Sequence, residues 1–385
     1  MFGWPTFGWP AAGDVMPTAS AYAIVFAAAF GVTLVLTPIA GWVGRRLGAL
    51  AQPDERRVHQ VPTPYFGGLA MFAGFAIAMG VAWRMDAFGQ MFDGSSAPLG
   101  VLIGAAIACA VGTTDDVRPV SPPAKTAGLV LAGSGLYLFG AAMVLFRFPF
   151  AGTIVLGSDL APLVTVLWVV GMANAVNLID GLDGLAAGIV AIAGGAFFLY
   201  GHRLAEEGVL RPENPSPLLA VIVFGICLGF LPFNFHPARI FMGDGGALML
   251  GVIMAGATML VGGQTFDGFS GQVFFFYLPF IIPIVVMGVP IIDTAFAILR
   301  RARNRSGVSE ADKDHLHHRL MRLGHGQRRS VLILWTWTAL LSAFVLYPVY
   351  TSKGDAAVPI GIAALGLVLY TYFHPGIRRA RGAEG

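Results

Sequence analysis

The chain has 385 residues, of which 56% are hydrophobic and only 12% charged, whereas soluble domains carry about 25% charged residues; a sizeable water-soluble domain is excluded. Its net charge of +3 characterises no partner, and no nucleic acid is expected among its ligands. Cys109 and Cys227 both lie inside apolar runs, which excludes a disulfide framework or a zinc cluster.

In chain order, residues 1–19 form an outer segment in which Phe-Gly-Trp-Pro recurs at 2–5 and 7–10. The repeat reads as an aromatic anchor at a membrane interface, with a docking tag as the alternative. No basic residue precedes Arg45, so the first apolar run lacks the start of a cleavable signal and reads as a retained span. A single all-α polytopic transmembrane domain is predicted over 20–374, because lipid offers the backbone no hydrogen-bond partners. Its eleven spans fall near 20–44, 68–84, 99–114, 125–146, 160–176, 184–201, 217–235, 244–261, 273–299, 331–350 and 357–374. Runs of this length, as helices, cross a hydrocarbon core of roughly 30 Å. Small residues such as Gly188 to Gly195 mark close helix packing. Residues 375–385 form a basic tail.

Alternate connections sort the charges. The loops 45–67, 115–125, 177–183, 236–243 and 300–330, together with the tail, hold 19 of the 24 Lys and Arg residues. Positive charge stays inside, so the N-terminus is expected outside and the C-terminus in the cytoplasm.

Four patches on that same side carry polar chemistry at the ends of spans: Asp115-Asp116, the run Asn174 to Gly184, the run Asn234 to Asp244, and Asp312 to Arg319. Ionisable groups at a membrane edge are costly to bury and are usually functional, although a lone Asp there also serves as a helix cap. Asn174, Asn177, Asp180 and Asp183 stand three apart and, if helical, share roughly one face. Their hard oxygens suit Mg²⁺ or Mn²⁺ better than zinc. The Asp-Gly-Leu-Asp-Gly stretch at 180–184 lacks the alternating ligands and closing Glu of a calcium loop. His315, His317 and His318, with Lys313 and Arg319 beside them, read as an anion clamp, against the alternatives of a zinc site or a solvated basic loop. Hard-oxygen metal ligands beside a cationic loop are what phosphoryl transfer requires, and the position at the bilayer edge points to a lipid phosphate.

Taken together, these patches resemble the polyprenyl-phosphate N-acetylhexosamine-1-phosphate transferase family. The likeness runs through Pro53 to Gly68, Asp115-Asp116, Asn174 to Gly184, Phe241-Met-Gly-Asp244-Gly-Gly and His315-Leu-His317-His318, in family order over roughly 20–350. The His-Leu-His-His form is similar to the WecA-like branch, which uses UDP-N-acetylglucosamine, whereas the peptidoglycan branch typically has three consecutive histidines. The resemblance implies that Asp244 and Asn177 hold Mg²⁺ (with Mn²⁺ as a substitute) on the donor diphosphate. It implies that Asp115 and Asp116 meet the lipid phosphate, and that Asp183, Asn234 and Arg239 serve the donor. Phe241 is then expected to stack on uracil, while His315, His317, His318 and Arg319 hold the diphosphate and sugar. Tyr65 stands where relatives often have a basic residue, leaving Arg56, Arg57 and His59 as the first loop's phosphate contacts.

The implied partners are a UDP-sugar, a polyprenyl phosphate and the membrane, with a homo-oligomer left open. The reading favours direct attack of the lipid phosphate on the donor's β-phosphorus. An aspartyl-phosphate on Asp115 or Asp180 is the competing route. A transporter is the rival class, and Asp293 in the ninth span is the one residue that suits it.

Overall fold

The structure, a computed structural model, describes residues 16–51, 62–148, 152–262, 320–321, 323–351 and 357–373. The predicted span 273–299, including Asp293, lies outside the described residues. The helices are α1 (Ala19–Arg46), α2 (Gly67–Trp83), α3 (Gly89–Asp93), α4 (Ala97–Val117), α5 (Pro122–Leu138) and α6 (Leu160–Ile179). They continue with α7 (Leu185–Glu206), α8 (Ser216–Asn234), α9 (Gly243–Gly262), α10 (Gln327–Thr351) and α11 (Ala357–Phe373). Among the described residues seven helices, α1, α4, α6, α7, α8, α9 and α10, are long and apolar enough to cross a membrane. The chain is a multi-pass membrane protein of mostly helical fold. Large side chains such as Val35, Ile39, Leu131, Leu167 and Leu365 are exposed, as expected where the surrounding solvent is lipid.

Local chemistry sets the helix ends. Thr18 Oγ1 accepts the Ala21 amide at 3.3 Å and so caps α1. Prolines at 122 and 123 open α5, where their missing N–H groups cost nothing.

Two expectations need correction. The predicted span 125–146 stops at Leu138, because Gly140, at φ 88°, turns the chain out of the helix. The fold is also not purely helical. Leu145–Phe148 (β3) pairs antiparallel with Gly152–Val155 (β4), and a shorter hairpin joins Leu50–Ala51 (β1) to Thr63–Pro64 (β2). In addition, α2 is bent by 94° against the segment Asp86–Asp93, so this region is a broken span or a re-entrant loop.

At the centre stands α9, in which every residue except Asp244 is buried. A helix apolar on all sides belongs in a core, and α2, α4, α6 and α8 pack around it. Absent side chains make that enclosure possible. A methyl group on Gly68 of α2 would overlap the α9 backbone at Gly246, and one on Gly112 of α4 would overlap that of Asp244. The predicted packing role of Gly188 is seen where α7 meets the Trp335 ring of α10.

Candidate active site

Helix termini build the site. The last turn of α4 carries Asp115 and Asp116, the first turn of α5 carries Lys125, and α9 begins at Gly243-Asp244. A helix N-terminus exposes unsatisfied amides and a partial positive charge. Asp116 answers both: its carboxylate accepts the Asp244 amide at 2.9 Å and the Gly245 amide at 3.2 Å. Gly243 has φ 67°, and a Cβ there would run into the Asp116 carboxylate, so this crossing needs a residue without a side chain.

Asp115 turns the other way. It accepts the Val120 amide at 2.7 Å and the Lys125 ammonium at 2.8 Å, and the same ammonium pairs with Asp244. The side chains of Lys125, Asp115 and Asp244 are 19%, 21% and 29% exposed, so the trio is open on one side. Asp115 and Asp116, the two aspartates expected at a lipid phosphate, thus have different partners within the protein. Asp116 fixes the central helix, and Asp115 shares a cation with Asp244.

The expectation that Asn174, Asn177, Asp180 and Asp183 share one helical face is not met. Helix α6 ends at Ile179, and glycines at 181 and 184 carry the chain through a turn. The Asn174 amide donates to Val170 O of its own helix at 2.8 Å. Asn177 remains on the last turn of α6, half-buried. Ala173 packs against Gly251 of α9, which places Asn177 at the end of α6 that faces the start of α9. Asp180 lies just past the helix. Burial, reinforced by the charges of Asp244, Asp116 and Asp183, pushes its carboxyl up to about 8.

A second knot joins the loop 180–184 to the connection after α8. Asp183, 8% exposed, accepts the Ala238 amide at 3.1 Å and lies 2.6 Å from His236 Nδ1. Asn234 is buried with both ends of its amide engaged, accepting Gly184 N–H at 3.1 Å and donating to Ile240 O at 3.0 Å. Phe241 is tied through its backbone to Pro64 and Gly67, with its ring centroid 6.3 Å from that of Tyr65. Arg239 is exposed. Arg57, His59, His315, His317, His318 and Arg319 lie outside the described residues.

Sequence reasoning missed two residues. Lys125 begins an apolar run at a membrane edge, the same criterion that singled out the acids, but as a lone cation it read as topology charge. His236 stood inside a recognised motif without a role.

Among the described residues no three His, Cys, Asp or Glu side chains close on one point. The carboxylates of Asp115 and Asp244 nevertheless share one cation, the Lys125 ammonium. Mg²⁺ is bound through one or two carboxylates, with waters and substrate phosphates completing its shell, and the residues present fit that pattern.

The model of the glycosyl transferase family 4 matches residues 98–262. The chain is 36% identical to the decaprenyl-phosphate N-acetylglucosaminephosphotransferase of Mycolicibacterium smegmatis over 358 residues, covering 90% of this chain and 86% of the relative. It is 38% identical to a probable undecaprenyl-phosphate N-acetylglucosaminyl 1-phosphate transferase of Bacillus subtilis, over 81% and 80% of the two chains. A phospho-N-acetylmuramoyl-pentapeptide-transferase of Desulforudis audaxviator is 32% identical over 83% of this chain and 95% of its own length.

Proposed function

The chain belongs to the polyprenyl-phosphate N-acetylhexosamine-1-phosphate transferases of glycosyl transferase family 4, and from that premise we propose that it transfers N-acetylglucosamine-1-phosphate from UDP-N-acetylglucosamine to a polyprenyl phosphate, releasing UMP. The observation that carries the reading is the trio at the head of the buried central helix, Asp115, Lys125 and Asp244. It sets a shared cation position at the end of a membrane-embedded bundle, where a lipid phosphate and a water-soluble diphosphate can meet.

In this reading Asp244, with Asn177 at the end of α6, would hold Mg²⁺, which when bound neutralises the donor's phosphate oxygens. Asp116 keeps Asp244 in place by anchoring the backbone on either side of that residue's carbonyl carbon. Lys125 supplies positive charge beside the phosphates, and Asp115 orients it. An oxygen of the lipid phosphate attacks the β-phosphorus; the bond from that phosphorus to the bridging oxygen breaks, and UMP leaves with the electron pair. A phosphate monoester has a second pKa near 6, so near pH 7 the attacking group is mostly dianionic and needs no strong base. The charge partition of the loops supports a cytoplasmic-facing site in the inner membrane.

UMP release by the purified protein tests the proposal, with Mg²⁺, a polyprenyl phosphate and a panel of UDP-sugars. UDP-N-acetylglucosamine should be turned over, and UDP-N-acetylmuramoyl-pentapeptide should be poor by kcat/KM. The match to a muramoyl-pentapeptide transferase over most of the chain makes that second donor the decisive comparison. Its preference would move the protein to the other branch and leave the reaction class standing.

A further inference from the structure

A cavity of about 400 Å³, which no member of the Asp115–Lys125–Asp244 trio lines, lies between the Arg45 end of α1, the β2 strand and the connection that follows α8. Its floor is Gly41, where an added Cβ would sit 3.5 Å from Ile240 Cδ1 and 3.9 Å from both Arg45 Nη2 and Pro64 Cγ. The lining is apolar through Pro38, Pro64 and Phe233, and it includes two arginines, Arg45 and Arg239. Both arginines are exposed, and among the described residues neither has an acidic partner.

The surface beside the cavity is built for lipid. Residues along an α-helix turn by about 100° each, so Pro38 and Arg45 on the cavity wall lie within about 60° of Trp42. Trp42 in turn continues the exposed stripe of Val35 and Ile39, which are 62% and 50% exposed. Arg46 points to the far flank of the same turn, its guanidinium 4.7 Å over the Trp42 ring. An aromatic and a basic residue together at a helix end mark the headgroup level of a bilayer. The cavity therefore adjoins a helix face suited to acyl chains, next to residues suited to headgroup depth.

From this arrangement we propose that the cavity is a binding site for an anionic phospholipid, its phosphodiester held between Arg45 and Arg239 and its acyl chains along the Val35–Ile39–Trp42 face of α1. Basic pockets between membrane helices take anionic headgroups in this way. The bound lipid would also brace the connection from Phe233 to Phe241, which carries the partners of Asp183 and Asn234.

The test uses the purified full-length protein in neutral detergent, titrated with phosphatidylglycerol or phosphatidylcholine and followed by native mass spectrometry and thermal midpoint. Wild type and Arg46→Gln should retain phosphatidylglycerol in preference to phosphatidylcholine. Arg45→Gln should weaken that binding about tenfold, a factor that follows from losing one charge-assisted contact. Arg239→Gln gives a second, independent loss of binding should the first variant fail to fold. Equal retention of the two lipids would overturn the proposal, as would an equal loss in Arg46→Gln, which removes the same charge from the other flank. Inorganic phosphate matching the lipid, or polyprenyl phosphate displacing it one for one, would assign the cavity to a free anion or to substrate, and either result overturns it.

Discussion

At the scale of single residues, Lys125 is the hinge of the electrostatics. Replacing it with Met keeps the stem and removes the ammonium, leaving Asp115 and Asp244 facing each other without a shared cation. In the presence of a chelator, Lys125→Met should be about 1–3 kcal/mol less stable than wild type, the cost of leaving half-buried polar groups unpaired. Added Mg²⁺ should raise its melting temperature more than that of wild type, because no ammonium has to be displaced from Asp244. Its turnover should fall by about 10²-fold, as expected for loss of a charge that acts on the transition state. An equal Mg²⁺ effect in the two proteins would show that the ion is held elsewhere. Asp180 makes a separate prediction about pH. Its folded value of about 8 exceeds the ordinary unfolded value of about 3.9, so between the two the folded state holds the extra proton. Stability then falls as pH rises from about 4 to about 8. Without divalent metal the melting temperature should be lower at pH 8 than at pH 6, and Asp180→Asn should flatten that slope; a slope unchanged in the variant refutes the assignment.

Among the elements, the loop 180–184 and the connection 235–241 behave as one unit because Asn234 and Asp183 stitch them together. Asn234→Leu removes an acceptor and a donor that backbone groups rely on inside the protein. It should cost about 1–3 kcal/mol for each group left unsatisfied, and raise the donor KM more than it lowers kcat, since the stitched loops carry Phe241. Calorimetric unfolding and steady-state kinetics on the same preparation check both parts; a fall in kcat with an unchanged KM would place Asn234 at the reacting phosphates instead. These stitches also show where the sequence stops being legible. Apolar runs located α1, α6, α7, α8 and α9 to within a few residues, because lipid imposes helix length directly. Hairpin β3–β4 was hidden inside an apolar stretch, where hydropathy does not separate strand from span. Asp116 was recognisable as a special residue but not as the cap of α9, since a contact across 128 positions in sequence leaves no local mark. The single helical face drawn through Asn174, Asn177, Asp180 and Asp183 failed because the glycines after Asp180 end the helix.

For the whole molecule, the charge partition makes a prediction independent of the chemistry. In a background with Cys109 and Cys227 replaced, cysteines at the exposed positions Arg118 and Glu206 should respond oppositely to an impermeant thiol reagent applied outside cells. Glu206→Cys should label in intact cells and Arg118→Cys only after permeabilisation; the reverse order would invert the orientation and place the Asp115–Lys125–Asp244 trio on the other face. The enclosure of α9 carries a different consequence, for how this protein can change over generations. A helix with one outward face can accumulate neutral substitutions there, and a lineage can drift through them. Helix α9 has no such face among its neighbours α2, α4, α6 and α8, and several of its positions are glycines pressed against another backbone. In a saturating library of variants it should therefore stand out as the least forgiving stretch of the chain from end to end, although Asp244 alone carries its chemistry. Diversification is left to the outer helices, whose lipid-facing sides are free to wander.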